Sequence, residues 1–295
     1  MTAQIISGTE IAKQIREELK QEVAELKEKH NLTPGLATVL VGSDPASQVY
    51  VGQKEKTSLA LGIYSERHDL PAETTQEKLL ALTDRLNKDP KIHGILVQLP
   101  LPKHINETAV LYAIDPKKDV DGFHPVNIGK LMIGEPDYLP CTPHGIQQLL
   151  IRSGVKIDGA EIVVVGRSNI VGKPIANILL QKKEGANATV TVCHTGTRDI
   201  AFHTQRADIV IVAAGKPKAI TADMVKEGAV VIDVGVNRIG KTAAGKAILV
   251  GDVDFEAVKE KAKAITPVPG GVGPMTISML MLNTVKAAKL EAGLT

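Results

Sequence analysis

No tryptophan occurs in these 295 residues, and only four tyrosines and three phenylalanines do, so each aromatic side chain is scarce enough to need a reason. Cysteine is nearly absent. Cys141 and Cys193 cannot make a disulfide framework, and neither has the close Cys/His company of a zinc site, so both read as reduced thiols. No apolar run reaches membrane-spanning length, and the opening MTAQIISGTEIAKQI lacks a signal peptide's apolar core, which points to the cytoplasm. Neither sign of charge is in excess. The 35 basic and 33 acidic side chains leave +2, with no basic run interleaved with aromatics, so no nucleic-acid surface is indicated. What the chain has in plenty is apolar material: 43% hydrophobic content is ample for one large domain or for two, the arrangement its length favours.

Ile11, Ile15, Leu19, Val23 and Leu26 recur at helical spacing, and the next segment, GLATVLVG, is a short continuous apolar run. A helix therefore feeds a buried strand. Asp44 can cap a following helix and Pro45 can fill its first turn. Alternation continues through a strand near GIYSERHDL, a helix from TTQEKLLALTDRLNKD and the strand GILVQLP at 94–100. Such repetition argues for a mostly parallel sheet covered on both faces. A second series opens at a helix capped by Thr142 and Pro143. It runs through EIVVVG, ATVTVC, ADIVIVAAG and AVVIDVG, β-branched runs suited to a fully buried sheet. The last long helix is expected from Pro274. Because the second sheet reads as complete before it, that helix is expected to return to the first domain.

In VVVGRSNIVGKP (163–174) a buried strand ends at Gly166, and Gly172, Lys173 and Pro174 open a helix. Backbone N–H groups and a helix N-terminus in this context can hold a pyrophosphate. The pattern departs from G-x-G-x-x-G, with Ser168 at the second glycine position and the later glycine one residue late. A glycine that merely permits a close turn remains an alternative. An NAD site usually carries an acid about 20 residues on, at the end of the next strand. Cys193, His194 and Thr195 stand there instead. With Arg167 in the loop, the site tolerates a 2′-phosphate, so NADP is expected over NAD.

Tyr50 and Lys54 fall one helical turn apart on one face. The ordinary reading is a ring packed on a surface lysine's stem. Gln98 is a polar side chain ending an apolar strand, and a buried amide needs a partner, supplied by the fold or by a ligand. Asp119 and Asp121 precede a glycine turn, in a segment too short for an EF-hand; a capped turn accounts for them equally. TPVPGGVGPMT (266–276) alternates stiffening prolines with glycines that admit a ligand to the backbone, or forms a tight crossover.

Taken together, YVGQK, VQLPLP, KDVDGFHP, GRSNIVGKP, CHTGT, DVGVNR and TPVPGGVGPMT resemble, in order and over essentially the whole chain, the signature set of the bifunctional methylenetetrahydrofolate dehydrogenase/methenyltetrahydrofolate cyclohydrolase family. The resemblance implies two α/β domains flanking a cleft. A folate-binding catalytic domain would span 1–141 plus 275–295, and a Rossmann-like NADP-binding domain 142–274. It implies Lys54 as the catalytic lysine, Gln98 as the amide that tunes it, Tyr50 as the ring that stacks on the folate, and Asp121 as the carboxylate on the pterin's amino-pyrimidine edge. It implies Pro269, Gly270, Gly271 and Gly273 as a backbone loop near the folate. On the cofactor side it implies Gly166, Arg167 and Ser168 at the phosphates, Thr195 at the 2′-phosphate, Val236 near the nicotinamide, and Thr276 as a further cofactor-binding residue. A homodimer is implied as well. Two rivals compete: another two-domain NADP-dependent dehydrogenase acting on a shikimate-like hydroxy acid, and a non-catalytic NADP-binding protein. The first does not explain Tyr50, Gln98, Asp121 and the proline–glycine loop together, and the second is disfavoured by the presence of both Lys54 and Asp121.

Overall fold

The expected periodicities resolve into regular elements in the computed structural model, which describes residues 2–241 and 247–294. Strand β1 (Gln4–Ile5) and helix α1 (Gly8–His30) come first, followed by β2 (Gly35–Val41), α2 (Pro45–Leu61), β3 (Tyr64–Leu70), α3 (Gln76–Lys88) and β4 (Gly94–Val97). Two short helices, α4 (Glu107–Tyr112) and α5 (Pro125–Met132), lead to α6 (Cys141–Arg152). The second series is β5 (Glu161–Val165), α7 (Gly172–Leu179), β6 (Thr189–Cys193), α8 (Ile200–Thr204), β7 (Ile209–Val212) and β8 (Val230–Asp233). A hairpin of β9 (Asn237–Lys241) and β10 (Ala247–Val250), then α9 (Phe255–Val258), β11 (Ala264–Ile265) and α10 (Val272–Glu291), complete it. Helices α6 and α10 each start two residues before the expected first residues Pro143 and Pro274.

The chain divides into two compact units, residues 14–141 with 277–295 and residues 1–13 with 142–276. In the first, β3-β2-β4 form a parallel sheet whose central strand is buried along its whole length. Ala37, Val39, Val41, Ile95 and Val97 meet Leu79 and Leu86 of α3 in one apolar cluster. Local chemistry fixes the ends of α2. The Asp44 side chain accepts the Ser47 N–H over 2.8 Å, and Gly62 closes the helix in the left-handed conformation.

In the second unit, six strands lie in the order β1-β11-β8-β7-β5-β6, all parallel. The β-branched runs of β5, β7 and β8 form its buried centre, as a sheet covered on both faces requires, whereas ATVTVC, expected to be fully buried, is the edge strand β6 and is partly exposed because it has a neighbour on one side only. One expectation is corrected. Residues 1–13, assigned from sequence to the first domain, group with 142–276, because β1 pairs with β11 and Ile6 N–H donates to the Ile265 carbonyl at 2.9 Å. Two-residue strands carry no periodicity that could announce this. Among the described residues no helix is long and apolar enough to cross a membrane.

Candidate active site

The third turn of α2 delivers Lys54 into the interior of the first unit, where only 9% of it stays exposed. An isolated ammonium is costly there. Its Nζ donates to Gln98 Oε1 at 2.8 Å. Gln98 ends the run of β4, and its own Nε2 donates to the Leu99 carbonyl at 2.7 Å, which fixes the amide with its oxygen toward the lysine. The polar residue that closes an apolar strand therefore has a partner, and the partner is Lys54. Burial pushes the Lys54 pKa down, opposed by the negative charge of Asp121. The Asp121 carboxyl is pushed up by the same burial and held back chiefly by Lys54. Each charge thus feels the other.

The two aspartates of KDVDGFHP have different tasks. Asp119 caps the turn: its oxygens accept the N–H groups of Phe123 at 3.2 Å and His124 at 2.8 Å, and the Asn127 amide at 2.8 Å. Asp121 is left for other chemistry, facing the lysine. Tyr50 stands one turn before Lys54 on the same helix with 42% of its surface exposed, so its ring is open to a flat ligand.

Two residues of this site were missed in the sequence. Cys141, read only as a reduced thiol, is buried, donates to the Val120 carbonyl at 3.3 Å and lies close enough to the Asp121 carboxyl to feel its charge. Burial and the adjacent carboxyl hold its thiol well above the usual range, so it remains a protonated donor. Asn283 of α10 donates to the carbonyls of Val120 at 2.8 Å and Leu139 at 2.9 Å, which fixes the backbone on which Asp121 and Cys141 sit. The signal for Asn283 was available, since it is a lone amide within the apolar run MLMLNTV.

The second unit holds the other expected residues at the carboxyl ends of its strands. Gly166 follows β5 with φ of +134°, and a Cβ there would lie 2.2 Å from the Ala213 carbonyl oxygen. A Cβ on Gly172 would meet the Gly166 oxygen at 2.2 Å. Both glycines are therefore required by close backbone approach, which keeps the strand–turn–helix cradle tight. Ser168, at the irregular second position, accepts the Val171 N–H at 3.1 Å and shapes the loop from within. A pyrophosphate fits such a cradle. Arg167 lies 3.4 Å, Nη1 to Nε2, from His194, beside the exposed Thr195 at the end of β6. Val236 follows β8 with 53% exposure, and Thr276 shares a 2.9 Å hydroxyl contact with Thr142. In the proline–glycine loop, Gly270 has φ of +100° and its carbonyl accepts the Thr9 N–H at 3.1 Å. A Cβ on Gly271 would lie 2.5 Å from the Pro267 oxygen, whereas Gly273 has open space. Pro269 follows a cis peptide bond.

Comparison with known proteins also finds two domains, with boundaries that differ from the contact-based units at both ends of the chain. The family model for the tetrahydrofolate dehydrogenase/cyclohydrolase catalytic domain matches residues 6–121, and that for the NAD(P)-binding domain of the same family matches 140–292. A "Bifunctional protein FolD" from Syntrophus aciditrophicus is 71% identical over 294 residues, covering 100% of both chains. One from Dehalococcoides mccartyi is 67% identical, covering 100% of this chain and 99% of its own. Among solved structures, the Trypanosoma brucei methylenetetrahydrofolate dehydrogenase-cyclohydrolase, complexed with NADP cofactor and inhibitor, superposes with a TM-score of 0.93 at 43% identity over 99% of each chain. The Campylobacter jejuni enzyme gives 0.91 at 49% identity, over 98% of this chain and 99% of its own. With both domains matched and this identity along its whole length, the chain belongs to the tetrahydrofolate dehydrogenase/cyclohydrolase family.

Proposed function

We propose that this chain oxidises 5,10-methylenetetrahydrofolate to the 5,10-methenyl cation with NADP and then hydrolyses that cation to 10-formyltetrahydrofolate. The observation that carries the reading is the buried Lys54–Gln98 hydrogen bond beside Asp121, within a chain of this family. NADP, when bound, supplies the hydride acceptor. In the first reaction a C–H bond of the bridging methylene breaks and both electrons leave with the hydrogen. N5 and N10 delocalise the resulting charge, so the step needs orientation more than it needs an acid or base. Tyr50 stacks on the folate, and Asp121 accepts two N–H bonds from the pterin's amino-pyrimidine edge. The loop of Pro269, Gly270, Gly271 and Gly273 offers its backbone.

The second reaction needs proton transfer. Water bonds to the cationic carbon and gives a proton to the Lys54 amine. The C–N5 bond then breaks as the hydroxyl oxygen forms the formyl C=O and releases its own proton to solvent, and N5 takes the proton held by Lys54. Burial favours the neutral amine this requires, and the neutral amide of Gln98 orients it without restoring a counter-charge. Gly166, Arg167 and Ser168 hold the pyrophosphate, Arg167 and Thr195 face the 2′-phosphate, Val236 lies near the nicotinamide, and Thr276 is a further cofactor-binding residue. A cytoplasmic homodimer belongs to this reading, the dimer on the strength of the family resemblance.

Purified protein mixed with 5,10-methylenetetrahydrofolate and NADP, with NAD in parallel, tests it. NADPH formation and clearance of methenyl faster than its spontaneous hydrolysis are expected. Accumulating methenyl would remove the cyclohydrolase, absence of NADPH would remove the dehydrogenase, and preference for NAD would overturn the cofactor assignment.

A further inference from the structure

Two carboxylates that no step above uses are buried at the carboxyl edge of the six-stranded sheet: Asp233, ending β8 with 1% exposure, and Asp252, just past β10 with 0%. A buried carboxylate is tolerated only where donors surround it. Here the donors come from separate segments. Asp233 Oδ1 accepts the N–H groups of Gly235 and Asp252, each at 2.9 Å, and Oδ2 accepts that of Val253 at 3.0 Å. Asp252 Oδ2 accepts the Gly215 N–H at 2.7 Å, and its Oδ1 accepts the Asn237 amide at 2.8 Å. The backbone closes tightly over both. A Cβ on Gly251 would lie 1.8 Å from Asp233 Oδ2, and one on Gly235 would lie 2.2 Å from Asp252 Cγ. Each glycine sits directly on a carboxylate from the other segment.

The consequence is a cross-tie of three loops. The segments after β7 (Gly215), after β8 (Gly235 to Asn237) and after β10 (Asp252 and Val253) are held by two side chains. Val236 lies between the two tied residues Gly235 and Asn237, and its own side chain remains exposed. We propose that Asp233 and Asp252 are positioning residues for the dehydrogenase reaction, fixing the 234–237 backbone against Gly215 so that the peptide at Val236 is preformed for the nicotinamide end of the cofactor. This rests on the role given to Val236 above. Preformation matters because ordering a loop on binding would otherwise weaken affinity and misplace the acceptor carbon.

The test exploits the direction of two hydrogen bonds. In Asp252→Asn the new amide has one acceptor for two facing donors, the Gly215 N–H and the Asn237 Nδ2, so one bond becomes a donor–donor contact. Adding Asn237→Asp restores an acceptor opposite the new amide, while giving up the longer contacts that Asn237 Nδ2 makes with the carbonyls of Val250 at 3.5 Å and Gly251 at 3.3 Å. We expect Asp252→Asn to lower dehydrogenase kcat/KM for NADP about tenfold, the effect of one lost buried hydrogen bond. The NADP-independent opening of supplied methenyltetrahydrofolate should stay at the wild-type rate, and the double variant should recover most of the loss. If Asp252→Asn does not fold, Asn237→Ala with the same two assays should show a smaller loss confined to the dehydrogenase. Unchanged kcat/KM for NADP, equal loss of both activities, or a double variant no better than the single would each overturn the proposal. A wild-type protein that makes no NADPH would instead defeat the functional reading itself.

Discussion

Lys54 and Gln98, 44 positions apart in sequence, are joined by a hydrogen bond of 2.8 Å that sets a neutral amide, not a carboxylate, against the buried lysine. The choice of group decides the charge. A carboxylate at that distance would hold the ammonium protonated, whereas an amide orients the nitrogen and leaves burial free to lower its pKa.

Gln98→Glu should therefore slow ring opening at neutral pH by about ten- to a hundredfold. The wild-type rate should rise with pH as Lys54 loses its proton, beginning below the ordinary lysine range. In the variant the same rise should move to higher pH. A pH–rate profile of methenyl hydrolysis checks this, and coincident profiles would remove Gln98 from the tuning of Lys54.

Lys54→Met keeps the length of the stem and removes the amine. Ring opening should fall by about two to four orders of magnitude, the span of general acid–base catalysis, while folate and NADP binding stay measurable. Stability gives a second readout. A lysine whose folded pKa lies below its unfolded value binds fewer protons when folded between those two values, so its contribution is present above the unfolded pKa and lost as pH falls through the folded one. At neutral pH the variant should thus melt no lower than wild type, and its relative advantage should shrink as pH approaches 10.5. Melting curves across that range decide it.

Asp121→Ala removes the carboxylate proposed for the amino-pyrimidine edge. The charge-assisted pair it would lose is worth roughly 1.5–3 kcal/mol, so folate should bind about ten- to a hundredfold more weakly and both activities should suffer. Titration calorimetry with folate measures it directly. Wild-type affinity would contradict the assignment.

Gly166→Ala should damage the nucleotide unit selectively. The new Cβ would sit 2.2 Å from the Ala213 oxygen at a φ of +134°, so the turn after β5 must move away from β7. NADP affinity is expected to drop at least about tenfold, with a strain cost of order 1–3 kcal/mol, while NADP-independent ring opening continues. NADPH fluorescence titration reads the first effect and methenyl hydrolysis the second.

What the sequence made legible followed from local physics. Asp44 and Pro45 announced the start of α2, three of the four β-branched runs announced buried central strands while ATVTVC became the edge strand β6, and a glutamine closing the run GILV stood out because a buried amide must bond to something. Cys141 and Asn283 were harder because their roles depend on neighbours distant in sequence. Asn283 meets Val120 and Leu139, and no spacing within α10 encodes that meeting. Asp119 and Asp121 could not be told apart by local turn chemistry, since either can precede a glycine turn, and only the family resemblance singled out Asp121. The donors of Phe123, His124 and Asn127 made the distinction. Strands β1 and β11 were invisible for a simpler reason: two residues have no period.

The pairing of Gln4 with Ala264, and the return of residues 277–295 to the unit built from 14–141, impose a schedule on synthesis. A nascent chain leaving the ribosome cannot close either unit until its final segments emerge, so nearly the whole polypeptide must wait with open sheet edges and uncovered apolar faces. A message cut before the codons for β11 would leave both units open, one without its Gln4–Ala264 pairing and the other without its 277–295 segment, so the two activities would be lost together.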